Sequence, residues 1–162
     1  MYYNMDINFP ESFRKINREE SLNNMVIKAM KDERHDRMKY KRMMEMTDDP
    51  MVKEQINFAY DDEIRHYKMF QQIYYKLSGR KLEIPMPTNI EKYNNLMEAV
   101  KSSIEGESKA IDLYRGIFVL MTNKQMRDEI FEIITDEQEH FGRFIYLYSM
   151  LKWGWEEDSS YK

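Results

Sequence analysis

The chain has 162 residues, enough for one domain with a real core, and 42% of them are hydrophobic against 33% charged. Five glycines and four prolines leave little material for turns, which suits a few long helices with solvated outer faces. A net charge of −4 without a basic block argues against a nucleic-acid partner, and the lack of cysteine excludes disulfides, zinc ribbons and thiolate-held iron clusters.

In chain order, residues 1–16 carry Tyr2, Tyr3, Phe9 and Pro10 with no sustained period. They read as an N-terminal arm that packs on the rest of the chain or on a partner subunit, disorder being the alternative. The first ten residues have neither the basic nor the apolar region of a signal peptide, and no apolar run approaches the ~20 residues of a membrane span. A cytoplasmic protein with no membrane partner is therefore expected.

Helix A is expected over 18–47, opened by Asn17 and Glu20 at capping-box spacing. Leu22, Met25, Val26, Ala29, Met30, Glu33, Tyr40 and Met44 recur on one face, a stripe with a carboxylate in its middle. Asp49 and Pro50 then offer an N-cap and a first helical position for helix B, expected over 50–78 with Gly79 as its stop. Its stripe holds Glu63, His66, Tyr67, Phe70 and Tyr74.

Residues 79 to about 90 contain Pro85 and Pro87 and read as extended. At ~3.3 Å per residue they reach roughly 40 Å, close to the length of a ~28-residue helix, so they can cross from one end of a bundle to the other. Helix C is expected over 90–121, opened near Thr88 or Asn89, with Glu107 and Tyr114 on its inward stripe. Helix D is expected over 124–152 with Glu137, His140, Phe144, Leu147 and Tyr148, and a short tail over 153–162 follows. The fold class is all-α, a bundle of two helical hairpins joined by a long crossover.

The two halves are related. Asp62-Glu63-Ile64-Arg65-His66 returns as Asp136-Glu137-Gln138-Glu139-His140, 74 residues later. Glu33 and Glu107 stand at the same offset, each followed seven residues on by a tyrosine, Tyr40 and Tyr114. A glutamate and a histidine three apart share one face of a helix and can reach one ion. Glu33 and Glu63 are also equally far from the turn at Asp48, as are Glu107 and Glu137 from Thr122, so each hairpin lifts its pair to one height, roughly 22 Å from the turn. Four glutamates and two histidines, one Glu-x-x-His per half, are the ligand set of a di-iron or dimanganese carboxylate bundle. Four buried carboxylates without cations would repel and resist desolvation. Asp62 and Asp136 adjoin the histidines and are placed to orient them across the interface.

On these residues the chain resembles the ferritin-like superfamily over residues 18–152, and within it the erythrin part of rubrerythrins; the Asp-Glu-x-x-His is also like that of bacterioferritins. The resemblance implies a ferritin-like four-helix bundle in which Glu63 and Glu137 bridge two metals. It makes Glu33 and Glu107 terminal ligands, His66 and His140 one ligand to each metal, and Tyr40 and Tyr114 supports behind them or plain core aromatics. Rubrerythrins add a four-thiolate domain, for which this sequence has no cysteine, and an extra glutamate where Ala110 stands. At the pseudo-symmetric position helix A has Asp36, either a seventh ligand or a salt-bridge partner of Arg34 or Arg37. His35, two residues from Glu33, points away and reads as a surface histidine.

The resemblance implies two iron ions, with manganese the alternative, since carboxylate-rich sites with few imidazoles suit both. The expected activity is a rubrerythrin-like peroxidase or ferroxidase: a di-iron oxidoreductase reducing hydrogen peroxide or O2 with electrons from a separate donor. Iron oxidation and storage in a ferritin-like shell is one alternative, and a manganese catalase is another. A homodimer or larger homo-oligomer is expected. The fifteen methionines read as core filler.

Overall fold

The computed structural model describes residues 22–153, which form four helices: α1 Leu22–Glu45, α2 Pro50–Ser78, α3 Leu96–Leu120 and α4 Lys124–Trp153. The expected arm, the Asn17 cap and the tail beyond Trp153 lie outside the described residues. Asp49 caps α2, its carboxylate accepting from the backbone N–H groups of Met51 and Val52, with Pro50 at the first helical position. Gly79 ends α2 at φ 69°, the left-handed conformation that lets its N–H close on the Tyr75 carbonyl.

Helix α3 starts later than the sequence pattern predicts, at Leu96 instead of 90. The cap is Asn95, whose side chain accepts from Glu98 N–H, while the Glu98 carboxylate accepts from Asn94 N–H. The residues before it are held in other ways. Ile90 is buried in extended chain, its carbonyl accepts from Arg42, and Tyr93 hydrogen-bonds Ser102. Residues 79–95 therefore all belong to the crossover. It is fastened along α2 and α1 by Gln71 to the Leu82 carbonyl, Ile84 N–H to the Tyr67 hydroxyl, and Arg34 to Glu83 and Met86.

α1 packs on α2 and α4 on α3 as hairpins; α1 also packs on α3, and α2 on α4. Two apolar clusters fill the ends. One contains Met25, Met30, Phe70, Ile73, Tyr114, Ile117, Ile130 and Ile133, the other Tyr40, Met43, Ile56, Ala99, Val100, Phe144 and Leu147. Both clusters draw on all four helices, so α1 and α4 run one way and α2 and α3 the other. Two parallel neighbours in sequence, α2 and α3, require the crossover to travel the length of the bundle. The architecture is the all-α, ferritin-like four-helix bundle. Between the two apolar clusters lies a layer of buried polar side chains. Among the described residues no helix is long and apolar enough to cross a membrane.

Candidate metal centre

The polar layer consists of Glu33 from α1, Glu63 and His66 from α2, Glu107 from α3, and Glu137 and His140 from α4, each at most 3% exposed. All six residues expected from the repeat are thus brought together. Their donor atoms fall into two overlapping groups, Glu33, Glu63, His66 and Glu137, and Glu63, Glu107, Glu137 and His140, each gathered within 4.8 Å. Glu63 and Glu137 belong to both. His66 Nδ1 lies 3.0 Å from Glu137 and 3.6 Å from Glu33, and His140 Nδ1 lies 3.5 Å from Glu137, 3.7 Å from Glu63 and 4.0 Å from Glu107.

Each imidazole is oriented from the other hairpin. His66 Nε2 donates to Asp136 at 3.0 Å and His140 Nε2 donates to Asp62 at 3.1 Å. With Nε2 committed outward, Nδ1 faces the carboxylates. Arg65 holds both aspartates from outside, at 2.7 Å from Asp62 and 2.8 Å from Asp136, and also reaches Glu132 at 2.6 Å. The tyrosines cross between halves too: Tyr40 on α1 donates to Glu107 on α3, and Tyr114 on α3 donates to Glu33 on α1. Their rings pack on Phe144 and Phe70 at centroid distances of 5.1 and 4.9 Å.

Asp36 is not gathered into either group, as a seventh ligand would be; its Oδ1 pairs with His35 Nδ1 at 3.1 Å. Nor is its partner Arg34 or Arg37, the other expectation for it. His35 lies away from the centre, as predicted, but is only partly exposed because its other nitrogen meets Glu91 of the crossover at 2.7 Å.

The electrostatics of this cluster call for cations. Burial, followed by the charges of neighbouring carboxylates, pushes the Glu63 and Glu107 carboxyls well above the ordinary range. Glu137 is held low: burial opposes its ionisation, but the adjoining Glu107 and the imidazoles of His140 and His66 outweigh it. Burial disfavours charge on both imidazoles, yet Asp136, Glu137 and Glu33 raise His66 well above its usual value, and Asp62 and Glu137 raise His140 to about 9. Burial and the adjacent carboxylates raise both Tyr40 and Tyr114, so they stay neutral donors. Asp62 is held at about 2, its partial burial outweighed by His140 and Arg65.

The hydrogen bonds inside the cluster do not close. Glu33 Oε2, His66 Nδ1, Glu137 Oε1 and His140 Nδ1 are buried and make no hydrogen bond, although two of them stand 3.0 Å apart. Buried polar atoms in folded proteins are nearly all satisfied, so four orphans within one carboxylate layer mark a ligand site. Oxygen and imidazole nitrogen donors, with four carboxylates to offset two divalent charges, fit a pair of manganese or iron ions. Carboxylates common to both groups, Glu63 and Glu137, are the ones placed to be shared.

One buried charge here has no counterpart in the sequence pattern. Lys39 is 3% exposed, and it donates a hydrogen bond to Ser102 Oγ at 3.3 Å. Burial lowers its pKa against the pull of Asp36, Glu107, Glu91 and Glu63. A lysine beside an inward tyrosine looks like the start of a solvated face, and only the position of α3 shows otherwise.

Comparison with known proteins agrees with the geometry. The family described as manganese containing catalase matches residues 22–115, more than half of the chain, which takes in Glu33, Glu63, His66 and Glu107. Glu137 and His140 lie beyond that stretch and are supplied by the internal repeat. The chain is also 25% identical over 108 residues to the uncharacterized protein YhjR of Bacillus subtilis (strain 168), covering 66% of this chain and 72% of that protein. No solved structure matches. By this match over α1, α2 and most of α3, the chain belongs to the manganese containing catalase family of ferritin-like helical proteins.

Proposed function

We propose that the protein is an oxidoreductase that consumes hydrogen peroxide at a dinuclear metal centre held by Glu33, Glu63, His66, Glu107, Glu137 and His140. The observation that carries this reading is the set of four orphaned buried donor atoms converging inside a carboxylate layer. A bound pair of manganese or iron ions would supply a two-electron couple, matching the two electrons that reduce one peroxide to two waters.

The chain's own groups serve that chemistry in definite ways. Asp62 and Asp136 fix the histidine tautomers, so Nδ1 is presented without reorganisation. Tyr40 and Tyr114 hold one oxygen each of Glu107 and Glu33, leaving the other free to face inward. The apolar layers above and below keep bulk water from the centre and strengthen every charge interaction within it.

The family favours disproportionation on manganese, in which two peroxides give two waters and one O2 and no outside donor is needed. The two Asp-Glu-x-x-His motifs, like those of rubrerythrins and bacterioferritins, favour the second reading. There, an iron pair reduces one peroxide with two protons and two electrons from a separate donor. Loading the purified protein with Mn(II) or with Fe(II) and adding peroxide separates them. Sustained O2 evolution by the manganese form supports the catalase, whereas stoichiometric oxidation of the iron form, restored only by added reductant, supports the peroxidase. If neither loaded form consumes peroxide faster than free metal, the proposal fails. Native mass on the same sample distinguishes a dimer from a storage shell.

A further inference from the structure

The two long faces of the bundle differ at the height of the metal centre. On the α2–α4 face, Arg65 ties Asp62, Asp136 and Glu132 together over the histidines and closes the way in. On the α1–α3 face there is a cavity of about 240 Å3, its outer rim the exposed Lys28, Glu105 and Lys109. Its inner wall is set by Asp36, one turn on from Glu33, and by Gly106 and Ala110, which flank Glu107 in sequence and along the helix. These two small residues leave the α3 side thin at the level of the ligands. A Cβ added to Gly106 would meet one neighbour only, the Lys39 ammonium at 3.9 Å.

Lys39 is itself part of the cavity wall, beside Gly106, the residue next to the ligand Glu107 in sequence. The carboxylates whose charges act on it are Asp36 and Glu91 on the cavity side and Glu107 and Glu63 in the ligand layer. Among the described residues it forms no ion pair within 4.0 Å; its ammonium makes the long bond to Ser102 and lies 5.8 Å from the centre of the Tyr93 ring. An ammonium on a flexible four-carbon stem, held by a neutral hydroxyl and a distant ring and by no carboxylate, can swing aside at little cost. The cavity wall sets Asp32, Asp36, Glu91 and Glu105 against Lys28, Lys39 and Lys109, but Lys39 is the buried charge among them, and low-dielectric surroundings focus its field on a passing solute.

We propose that this α1–α3 cavity is the route by which small solutes reach the metal centre, and that Lys39 sets its charge selectivity, slowing cations and favouring small anions. This rests on the metal-centre reading but not on which peroxide reaction follows. The test compares wild-type protein with Lys39→Met, Lys39→Arg and Gly106→Leu. Co(II) uptake is followed by stopped-flow visible absorption, and azide binding to the cobalt-loaded protein by titration. Lys39→Met is expected to take up Co(II) roughly tenfold faster and to bind azide roughly tenfold more weakly, with Lys39→Arg near wild type. Gly106→Leu fills the cavity from a helical position and is expected to slow Co(II) uptake and azide association alike. Faster exchange of both solutes in Lys39→Met would show a steric plug without charge selectivity and overturn the assignment. Unchanged exchange in Gly106→Leu would overturn the route. Wild-type protein that binds no Co(II) would overturn the metal centre itself, a separate result.

Discussion

Replacing Asp136 by alanine tests the crossed support of the histidines, because its effect should fall on one metal and spare the other. Asp136 touches His66 at 3.0 Å, and of the two carboxylate groups in the buried layer His66 belongs to the one with Glu33, Glu63 and Glu137. Losing a hydrogen bond to a charged partner in a buried setting costs about 1.5–3 kcal/mol. At about 1.4 kcal/mol per tenfold, the ion held by His66 should bind roughly 10- to 100-fold more weakly. The ion held by His140, whose partner is Asp62, should change little. Asp136 also meets Arg65, but that guanidinium is 43% exposed and retains Asp62 and Glu132, so this loss adds little. Asp136→Asn keeps an acceptor oxygen without its charge and should fall between wild type and alanine. Calorimetric titration with Co(II) under a two-site fit reads both constants. Equal weakening of both sites, or none, would refute the crossed arrangement, and Asp62→Ala should give the mirror image.

Further outcomes follow from the same geometry. Tyr40→Phe keeps the ring against Phe144 but leaves a buried Glu107 oxygen without its donor, so metal-free protein should lose about 1–3 kcal/mol in urea unfolding; a loss below a few tenths would contradict the bond. Binding two divalent ions must displace protons from Glu63, Glu107, His66 and His140, whose pKa values are all raised, so titrations near neutral pH in buffers of different ionisation enthalpy should show release of up to four protons. The Asp62–His140 pair gives a pH signature. The His140 contribution is fully present below about 6.5 and is lost as pH rises through about 9, while that of Asp62 is present above 3.8 and lost as pH falls through about 2. The stability difference between metal-free wild type and Asp62→Asn should therefore be largest from about pH 4 to 6.5 and fade by pH 10; a difference that grows with pH would have the wrong sign. Gly79→Ala forces a Cβ into the left-handed region and should cost about 1–2 kcal/mol, checked against Gly142→Ala, where nothing lies within 4 Å of the added Cβ and φ is not positive.

The ligand layer was legible because a metal site constrains residues that are far apart in sequence but equal in height. The 74-residue repeat and the equal distances of Glu33 and Glu63 from their turn are features of the sequence itself, and they suffice to set the ligands at one height. Asp49-Pro50 and Gly79 were readable because the caps they form are local. The tyrosine pairing was not. Tyr40 lies seven residues from Glu33, roughly 10.5 Å along α1, too far for its own helix's ligand, so it serves Glu107 on antiparallel α3. The start of α3 was missed because Asn89 and Asn95 both look like caps, and burial of Ile90 in extended chain decides between them. Pseudo-symmetry with a family position left Asp36 open between a ligand and a partner of Arg34 or Arg37, but His35, which also meets Glu91 of the crossover, draws it into a surface network. Lys39 was hidden for a related reason. Its burial depends on how closely α3 and Tyr93 approach, which no periodicity in α1 encodes.

In the proposed centre Glu63 and Glu137 are shared by two ions. Metal content after loading with Mn(II) or Fe(II) and desalting, measured per chain for wild type, Glu63→Ala and Glu137→Ala, tests it most directly. Two ions are expected in the wild type and none in either variant, with all three proteins still helical. One ion held stoichiometrically by either variant, or no ion bound by the wild type, would contradict it.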